Sequence, residues 1–392
     1  MKDVDSNGFK NLVRIYGSID KIPEEDLFNV TDIVFRSMTD EERWLCVPVV
    51  EKYWRKRGFP YPEFNLQDVT DEYDKLLNFE PNSIWVPECK EITQHNLGLS
   101  SANCFHHHKY HVKCREYRPP IATFLDEEKF RKVLYKEMKY SGNPFKRTSL
   151  RNMISLFSGT HGVSNFRPTV AKLIYTKYCP VDGKVLDPSL GYSGRLFAAL
   201  TSHISHYEGC DPCVATYEGG KKMLETITNI ENKRNKLSMF LDDGERKTRL
   251  PNVILHNIPF EEYKGKSNFF DLVFTSPPYF NTEQYSDEDT QSWKKFPEYD
   301  MWVEGFLRPL IKTSHRVLKK GGKLILNIYG KVGKNCLEDS TLQIAKEVFG
   351  HDVDDTFYMQ MSKLMGIKGK GKIENRNDRY EHKIEPFFVW TK

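Results

Sequence analysis

The sequence lacks several features that would place it in a specialised class of protein. Its 392 residues contain no apolar run of about eighteen residues, the length that a membrane-spanning helix requires. The first residues, MKDVDSNGFK, lack the basic and then apolar pattern of a signal peptide. No internal repeat and no low-complexity segment interrupts the chain. We therefore expect a globular protein located in the cytoplasm.

Compactly spaced cysteines and an excess of charge are also missing. The eight cysteines lack the even spacing of a disulfide framework, so we expect reduced thiols. The 58 Lys and Arg are nearly balanced by 54 Asp and Glu, so total charge gives no argument for nucleic acid as a partner. A local argument comes from Lys363 to Lys383, where glycine alternates with lysine. A solvated loop between two strands would have the same composition.

The pattern of the chain changes near residue 145. Residues 1–145 combine amphipathic stretches such as EERWLCVPVVEKYWRKRG with proline-rich connections, and we expect a mainly helical N-terminal region there. In residues 146–392, short apolar runs alternate with helical segments, which is typical of an α/β domain with a mostly parallel sheet. The runs that predict strands are GKVLDPSLG, HYEGCDP, NVILHNI, FDLVFTSPPY, GKLILNIYG and EPFFVWTK.

The stretch KVLDPSLGYSGRLFAAL predicts a strand, a glycine-containing loop and then a helix. Asp187 and Pro188 begin the loop, and Gly191 and Gly194 follow. Glycines at such a turn allow a ligand to approach the backbone closely, and the helix N-terminus presents free N–H groups. A nucleotide-like cofactor would fit this loop. A tight turn that requires glycine for conformational reasons would give the same pattern.

Two further strand ends favour a cofactor that contains ribose. Asp211 follows the second predicted strand, roughly twenty residues beyond the glycine loop, where a carboxylate can accept hydrogen bonds from both ribose hydroxyls. Asn257 and Ile258 end the third predicted strand, where they can contact an adenine ring by hydrogen bonding and packing. An Asn at the end of a strand is also a common turn former.

The segment FFDLVFTSPPYF ends a predicted strand with two prolines. Pro277 and Pro278 remove two backbone donors and fix two φ angles, so the strand cannot continue. The rigid turn presents Ser276, the neighbouring carbonyls and the ring of Tyr279 at a strand end, where α/β proteins bind ligands. A proline-rich turn with a packed tyrosine is the purely structural interpretation.

The pair DPSLGYSG and TSPPYF resembles the motifs of the S-adenosylmethionine-dependent amino-methyltransferases, which methylate N4 of cytosine or N6 of adenine in DNA. The resemblance extends over about residues 164–392. Phe166, Arg167, Pro168 and Thr169 resemble the family segment that closes over the methionine part of the cofactor. The resemblance implies a Rossmann-like class I methyltransferase fold, whose sheet has seven mostly parallel strands and an antiparallel last strand, here EPFFVWTK.

The chemistry of this family explains the proline turn. An exocyclic amine is a poor nucleophile, and Ser276 Oγ and the carbonyl of Pro277 are candidate acceptors that would orient its lone pair towards the methyl sulfonium. Tyr279 offers a face on which a base flipped out of the duplex can stack. Phe280 and Tyr285 are further expected substrate contacts. The basic segment adds three more: Lys368, Lys370 and Lys372.

The serine of TSPPY favours N4 of cytosine, because adenine enzymes of the family more often carry an acidic residue or Asn there. DNA is the expected partner, and the N-terminal region and the basic segment are the candidates for recognising it. Restriction-modification or protection of a viral genome in a host cytoplasm is the expected context. Two alternatives remain: an enzyme of the same fold acting on RNA, a nucleotide or a protein amide, and an inactive nucleic-acid-binding relative.

The N-terminal region also contains a segment rich in cysteine and histidine. Its candidate zinc ligands are Cys89, Cys104, His108 and Cys114, side chains of the types that form tetrahedral sites. The spacing does not match a pair of Cys-x-x-Cys knuckles, so we assign no metal. A His-rich segment that contacts nucleic acid, or one that is simply packed, has the same composition.

Overall fold

The computed structural model describes residues 17, 21–23, 26, 32–241, 250–332, 334–361 and 384–392. The chain divides into two compact units: the first takes in the residues up to Glu63 and Lys109–Val163, and the second takes in Phe64–His108 and Ser164–Lys392. This division differs from the expected boundary between residues 145 and 146. The reason is that residues 64–108 contribute buried side chains to the core of the second unit, among them Tyr73, Leu76 and Ile92.

The α-helices begin and end where the local sequence directs. Thr39 caps α2 (Asp40–Arg57) by accepting a hydrogen bond from the backbone N–H of Glu42 on its side-chain oxygen, and the Glu42 carboxylate accepts one from the backbone N–H of Thr39. Within the described ranges, no helix has the length and apolar character needed to cross a membrane. In chain order the helices are α1 (Asp32–Ser37), α2 (Asp40–Arg57), α3 (Leu66–Leu77), α4 (Leu99–Cys104), α5 (Pro120–Leu125), α6 (Glu127–Lys136), α7 (Arg147–Ser155), α8 (Pro168–Tyr178), α9 (Gly194–Ala199), α10 (Val214–Leu241), α11 (Ser292–Lys295), α12 (Tyr299–Trp302), α13 (Arg308–Val317) and α14 (Leu337–Phe349).

The β-strands include all six that the sequence predicts, together with one central strand that it does not, TFYMQ in β12. In chain order they are β1 (Trp85–Val86), β2 (Glu91–Ile92), β3 (Lys113–Cys114), β4 (Lys184–Asp187), β5 (His206–Cys210), β6 (Asn252–His256), β7 (Phe270–Thr275), β8 (Glu283–Gln284), β9 (Leu318–Asn327), β10 (Lys331–Val332), β11 (Asn335–Cys336), β12 (Asp355–Gln360) and β13 (Ile384–Thr391).

The second unit is built around a sheet of nine strands in the order β1-β2-β12-β13-β9-β7-β4-β5-β6. Strands β6, β5, β4, β7 and β9 pair in parallel, whereas β13 is antiparallel to both β9 and β12. The seven strands from β12 to β6 therefore form the expected Rossmann-like class I methyltransferase sheet with its antiparallel last strand. The hairpin of β1 and β2 extends the sheet through parallel pairing of β2 with β12.

Each face of this sheet has its own apolar core. Val185 and Leu272 point into one core, which also contains buried residues of α8 and α9. Their neighbours Leu186 and Val273 point into the other, which contains residues of α13 and α14. Side chains alternate between faces along a strand, so strands buried on both sides read as continuous apolar runs. The parallel arrangement brings the loops after β4, β5, β6 and β7 to one edge of the sheet.

The first unit is mainly helical within its described residues, with the short strand β3 as an exception, in line with the mainly helical N-terminal region that the sequence predicts. Side chains from α1, α2, α6 and α7 pack in a single apolar cluster that includes Phe35, Trp54, Phe130 and Phe145. The indole Nε1 of the fully buried Trp54 donates a hydrogen bond to the carbonyl of Pro144 at 2.9 Å. This bond satisfies the one polar atom of that side chain inside the core.

Candidate active site

Asp187, at the end of β4, links the glycine loop to the turn that follows β7. Its fully buried carboxylate accepts hydrogen bonds from Arg195 Nε (2.8 Å) and Nη2 (3.1 Å), the Tyr207 hydroxyl (2.8 Å), Thr275 Oγ1 (3.0 Å) and the backbone N–H of Ser189 (3.2 Å). These protein donors saturate an ionised carboxylate, which has about four lone-pair sites. The donors described around Asp187 are therefore all protein groups, whereas its place in the sequence predicts a direct cofactor contact.

The glycine loop approaches the backbone of a neighbouring segment very closely. Gly191 has a φ of 57° and Ser193 a φ of 62°, both in the left-handed region. Gly194 begins α9, and a Cβ atom there would overlap the carbonyl oxygen of Phe166. Glycine is therefore required at position 194 by contact with the protein itself. Pro188, at the start of the loop, is buried.

The segment that begins at Phe166 lies beside this loop, as the sequence predicts. The Phe166 ring packs edge-on against Phe274 of β7, with centroids 5.4 Å apart. Pro168 is the first residue of α8, where the missing N–H costs nothing. The buried hydroxyl of Thr169 donates to the carbonyl of His95 at 2.8 Å. The segment is thus held by the sheet on one side and by residues near position 95 on the other.

Asp211, at the end of β5, faces the glycine loop. Its carboxylate accepts hydrogen bonds from the backbone N–H groups of Gly191 (2.9 Å) and Cys213 (3.0 Å). Burial raises the pKa of Asp211 to about 7. Asn257 Nδ2 donates to the Asp211 carbonyl at 3.0 Å, and Ile258 packs against the adjoining apolar core. The structure therefore brings these predicted cofactor residues together, and the Asp211 carboxylate retains acceptor sites for ribose hydroxyls.

The turn after β7 places Ser276, Pro277, Pro278 and Tyr279 at the same edge of the sheet. Ser276 and Tyr279 are partly exposed, whereas Pro277 is buried. The Tyr279 hydroxyl donates to the carbonyl of Asn327, at the end of β9, at 3.3 Å. Burial of this hydroxyl raises the pKa of Tyr279 well above its usual value. The phenol therefore stays neutral, and its hydrogen bond fixes the direction of the ring.

Phe280 does not occupy the position expected of a substrate contact. It has a φ of 56°, and its buried ring packs against Tyr299 and Trp302 with centroids 5.7 Å and 5.9 Å away. Phe280 is therefore a core residue. Tyr285 is partly exposed, and its ring centroid lies 6.2 Å from that of Tyr192 in the glycine loop. The remaining expected substrate contacts lie outside the described residues: Lys368, Lys370 and Lys372.

The four candidate zinc ligands each have a local structural explanation. Cys89 Sγ contacts a backbone carbonyl, and buried Cys104 donates to the carbonyl of Ser101 at 3.0 Å. His108 Nε2 shares a hydrogen bond with Thr216 Oγ1 at 3.0 Å, and Cys114 is buried. In the part of the chain that the structure describes, no group of three or more His, Cys, Asp and Glu side chains could hold a metal ion.

Sequence reasoning missed three residues that organise the glycine loop. Arg195 pairs with Asp187, Asn165 Nδ2 donates to the Tyr192 carbonyl at 2.8 Å, and His106 Nε2 shares a hydrogen bond with Ser193 Oγ at 2.8 Å. An Arg inside the apolar run GRLFAAL was the available signal for the buried ion pair. The His-rich segment was the available signal for His106, but the sequence predicts only that such a segment binds zinc, contacts nucleic acid or is packed.

Several of the solved structures that resemble this chain are methyltransferases, although the resemblance is distant. The tRNA methyltransferase TrmI from Aquifex aeolicus is 11% identical over 59% of this chain and 71% of its own, with a TM-score of 0.33. A TehB-like S-adenosylmethionine-dependent methyltransferase from Corynebacterium glutamicum is 14% identical over 58% and 89%, with a TM-score of 0.32. The fold assignment rests on the sheet order described above.

The family comparison concerns the C-terminal part of the chain. A family model described as DNA methylase matches residues 270–392, a range that contains the proline turn. The match confirms the resemblance to the N4-cytosine and N6-adenine DNA methyltransferases over this part of the chain, and fold and match together define a methyltransferase whose cofactor is S-adenosylmethionine. No curated protein matches the sequence.

Proposed function

We propose that the protein methylates the exocyclic amino group of a DNA base by direct transfer from S-adenosylmethionine, with N4 of cytosine favoured over N6 of adenine. The observation that carries this proposal is the position of the Ser276–Tyr279 turn. It follows β7 at the edge of the sheet where the glycine loop lies, and the Thr275–Asp187 hydrogen bond joins the two. The turn also falls within the stretch that matches the DNA methylase family.

The residues at the cofactor side suit S-adenosylmethionine, which supplies an activated methyl group on a sulfonium. Asp211 would bind the ribose hydroxyls, because its carboxylate faces Gly191 and retains acceptor capacity. Asn257 and Ile258 would contact the adenine. Phe166, Pro168 and Thr169 would adjoin the methionine part, beside Gly194, while Asp187 and Pro188 hold the loop in place.

The residues of the proline turn would bind and orient the amine. Ser276 Oγ and the Pro277 carbonyl would accept its hydrogens, directing the lone pair towards the methyl group. Two prolines fix the carbonyl direction, so little reorganisation is needed during transfer. Tyr279 would stack on the base. Because a paired base hides its exocyclic amine, the base must leave the duplex first.

The first unit is our candidate for recognising the DNA. Residues 109–163 contain twelve Lys and Arg but five Asp and Glu, a net charge of +7 against +4 for the whole chain, so positive charge is concentrated in this part. Positive charge of this kind favours contact with phosphates. A role in restriction-modification or in protection of a viral genome, within the cytoplasm, stays a prediction of the sequence.

A transfer assay with nucleoside analysis tests this proposal. Purified protein would be incubated with labelled S-adenosylmethionine and duplex DNA, single-stranded DNA or total RNA, followed by mass spectrometry of the nucleosides. We expect N4-methylcytosine in DNA. Label in RNA alone would favour the alternative substrate class. Cofactor binding without transfer to any of these nucleic acids would point to an untested substrate such as a nucleotide or a protein amide, to a missing partner, or to an inactive relative.

Substitutions in the turn test the assigned roles. We expect Ser276→Ala and Tyr279→Ala to reduce transfer at least about 100-fold, the scale on which lost transition-state contacts act, while S-adenosylmethionine binding is retained. Val181→Ala is the control, because that side chain is 76% exposed and distant in sequence from the turn. Full transfer activity in the Tyr279→Ala protein would contradict the stacking role.

A further inference from the structure

His106 is a fully buried histidine that contacts two elements of the cofactor site. Its Nε2 shares a hydrogen bond with Ser193 Oγ at 2.8 Å, and Ser193 is the residue of left-handed φ that immediately precedes α9. The imidazole also packs against Gly219 of α10, so closely that a Cβ atom at that position would overlap the ring. One ring therefore joins the loop after β4 to the helix after β5.

His108 makes a parallel connection two residues later. Its Nε2 shares a hydrogen bond of 3.0 Å with Thr216 Oγ1, in the first turn of α10. The ring centroids of His106 and His108 lie 5.7 Å and 5.5 Å from that of Tyr192, which is only 5% exposed. The two imidazoles thus pack against the glycine-loop tyrosine while each is bonded to a hydroxyl of the site.

An amide adds a third connection between the same segment and the glycine loop. Asn165 Nδ2 donates both to Asn103 Oδ1 at 3.1 Å and to the carbonyl of Tyr192 at 2.8 Å. Residues 103–108 therefore reach the glycine loop through two separate hydrogen-bonding routes. All of these residues lie within the second compact unit.

We propose that His106 and His108 are positioning residues that hold the glycine loop in its cofactor-binding geometry. A serine with positive φ is strained and persists only where surrounding contacts impose it. The His106 bond fixes the side chain of Ser193, and the packing of both rings fixes Tyr192. Pre-organisation of this kind strengthens binding, because the loop need not be ordered when the ligand arrives. This inference rests on the proposed function, and it assigns His106 and His108 a role in cofactor affinity.

Direct measurement of cofactor binding to the full-length protein tests the inference. Isothermal titration with S-adenosylmethionine and with S-adenosylhomocysteine would compare wild type with His106→Phe, His106→Gln and Ser193→Ala. Phe keeps an aromatic ring without a ring nitrogen, whereas Gln can place an amide nitrogen near the position of Nε2. His107→Ala is the matched control, since His107 lies in the same run but is exposed.

We expect affinity to fall about tenfold for His106→Phe and Ser193→Ala, the effect of one lost hydrogen bond. His106→Gln should recover most of it, and His107→Ala should equal wild type. In the transfer assay, KM for the cofactor should rise with kcat at saturation preserved. A general loss of structure would not raise KM while preserving kcat, and it would not allow Gln to restore the affinity.

Several results would overturn the inference. Wild-type affinity in both Ser193→Ala and His106→Phe would do so, and so would a loss of kcat with unchanged cofactor affinity. If His106→Phe fails to fold, Ser193→Ala and Thr216→Val still decide the matter, because each removes only one hydroxyl from the two histidine bonds. A wild-type protein that binds neither ligand would instead refute the proposed function, and the inference with it.

Discussion

At the residue scale, two carboxylates that look equivalent in sequence have different environments. Asp187 and Asp211 each follow a parallel strand, but Asp187 is occupied by a buried ion pair with Arg195 and three further donor groups. The hydrogen bonds described for the Asp211 carboxylate come from two backbone N–H groups. The first environment fits a structural link, and the second fits the ribose site that we propose.

Substitution of each Asp by Asn should separate these roles. We expect Asp187→Asn to lower the free energy of unfolding by about 3 to 5 kcal/mol, because it leaves the Arg195 charge buried without its partner. Asp211→Asn should change stability little, since burial already disfavours the charged form, but it should weaken cofactor binding. Urea denaturation and calorimetric titration measure the two effects. An Asp187→Asn protein with wild-type stability but no cofactor binding would indicate that Asp187 contacts the cofactor directly.

Gly194 is the glycine with the strictest steric requirement in the loop. A Cβ atom at this position would overlap the carbonyl oxygen of Phe166, and backbone atoms cannot move aside as a flexible side chain can. We expect Gly194→Ala to destabilise the protein by about 1 to 3 kcal/mol, the usual range for overpacking, and to weaken S-adenosylmethionine binding. Gly162→Ala is the control, because its Cβ would meet its nearest neighbours at 3.4 Å or more. Equal stability of the two variants would contradict the close approach.

At the element scale, one carboxylate links side chains of β5 and β6 at the edge of the sheet. Glu208 accepts hydrogen bonds from His206 (2.9 Å), His256 (2.8 Å) and the Tyr263 hydroxyl (2.8 Å). Burial alone would raise the pKa of Glu208, but these bonds lower it to about 2, from an ordinary value of 4.5. The ionised form is therefore favoured by folding.

This shift predicts a specific acid sensitivity. Because the folded pKa is lowered, the stabilisation is fully present above about pH 4.5 and is lost as the pH falls towards 2. A shift of this size corresponds to roughly 3 kcal/mol. We expect Glu208→Gln to flatten the fall in unfolding free energy between pH 5 and pH 3, as measured by chemical denaturation at each pH. An unchanged pH profile in the variant would show that other carboxylates dominate.

At the scale of the whole molecule, the sequence predicted what depends on local pattern. Strands β4, β5, β6, β7, β9 and β13 are apolar runs bounded by turn residues, and the antiparallel β13 followed from the family resemblance. Strand β12, TFYMQ, alternates buried and half-buried residues in a short run, which is too weak a signal by itself. Phe280 was expected to contact the substrate, but it packs in the core against Tyr299 and Trp302, which lie 19 or more residues away in sequence. The contact of His106 with Ser193 spans 87 residues, so local pattern could not predict it.

The division into units could not be read from local pattern for the same reason. Residues 64–108 have helical periodicity like the residues before them, yet their apolar side chains complete the core beneath α8 and α9. Membership in a core is a long-range property, set by which surfaces remain uncovered. The sequence beyond residue 146 therefore resembles a complete domain. Its sheet nevertheless needs the apolar side chains of residues 64–108 to complete one of its cores.

Two shortened proteins test this organisation. We expect that the fragment 146–392 neither folds cooperatively nor binds the cofactor, because it lacks Tyr73, Leu76 and His106. The other shortened protein is the second unit alone: it starts at residue 64, and a flexible glycine-serine linker replaces residues 109–163. We expect this protein to fold and to bind S-adenosylmethionine. Thermal unfolding followed by circular dichroism and calorimetric titration would measure both.

The same two shortened proteins test cofactor binding and DNA recognition separately. If the linked second unit binds cofactor as tightly as the full chain but no longer methylates duplex DNA, the first unit supplies the contacts that position the DNA, as its positive segment suggests. If the linked unit retains full transfer activity, recognition lies within the second unit. Cofactor binding by the fragment 146–392 at wild-type affinity would contradict the core assignment and also remove the basis for a role of His106.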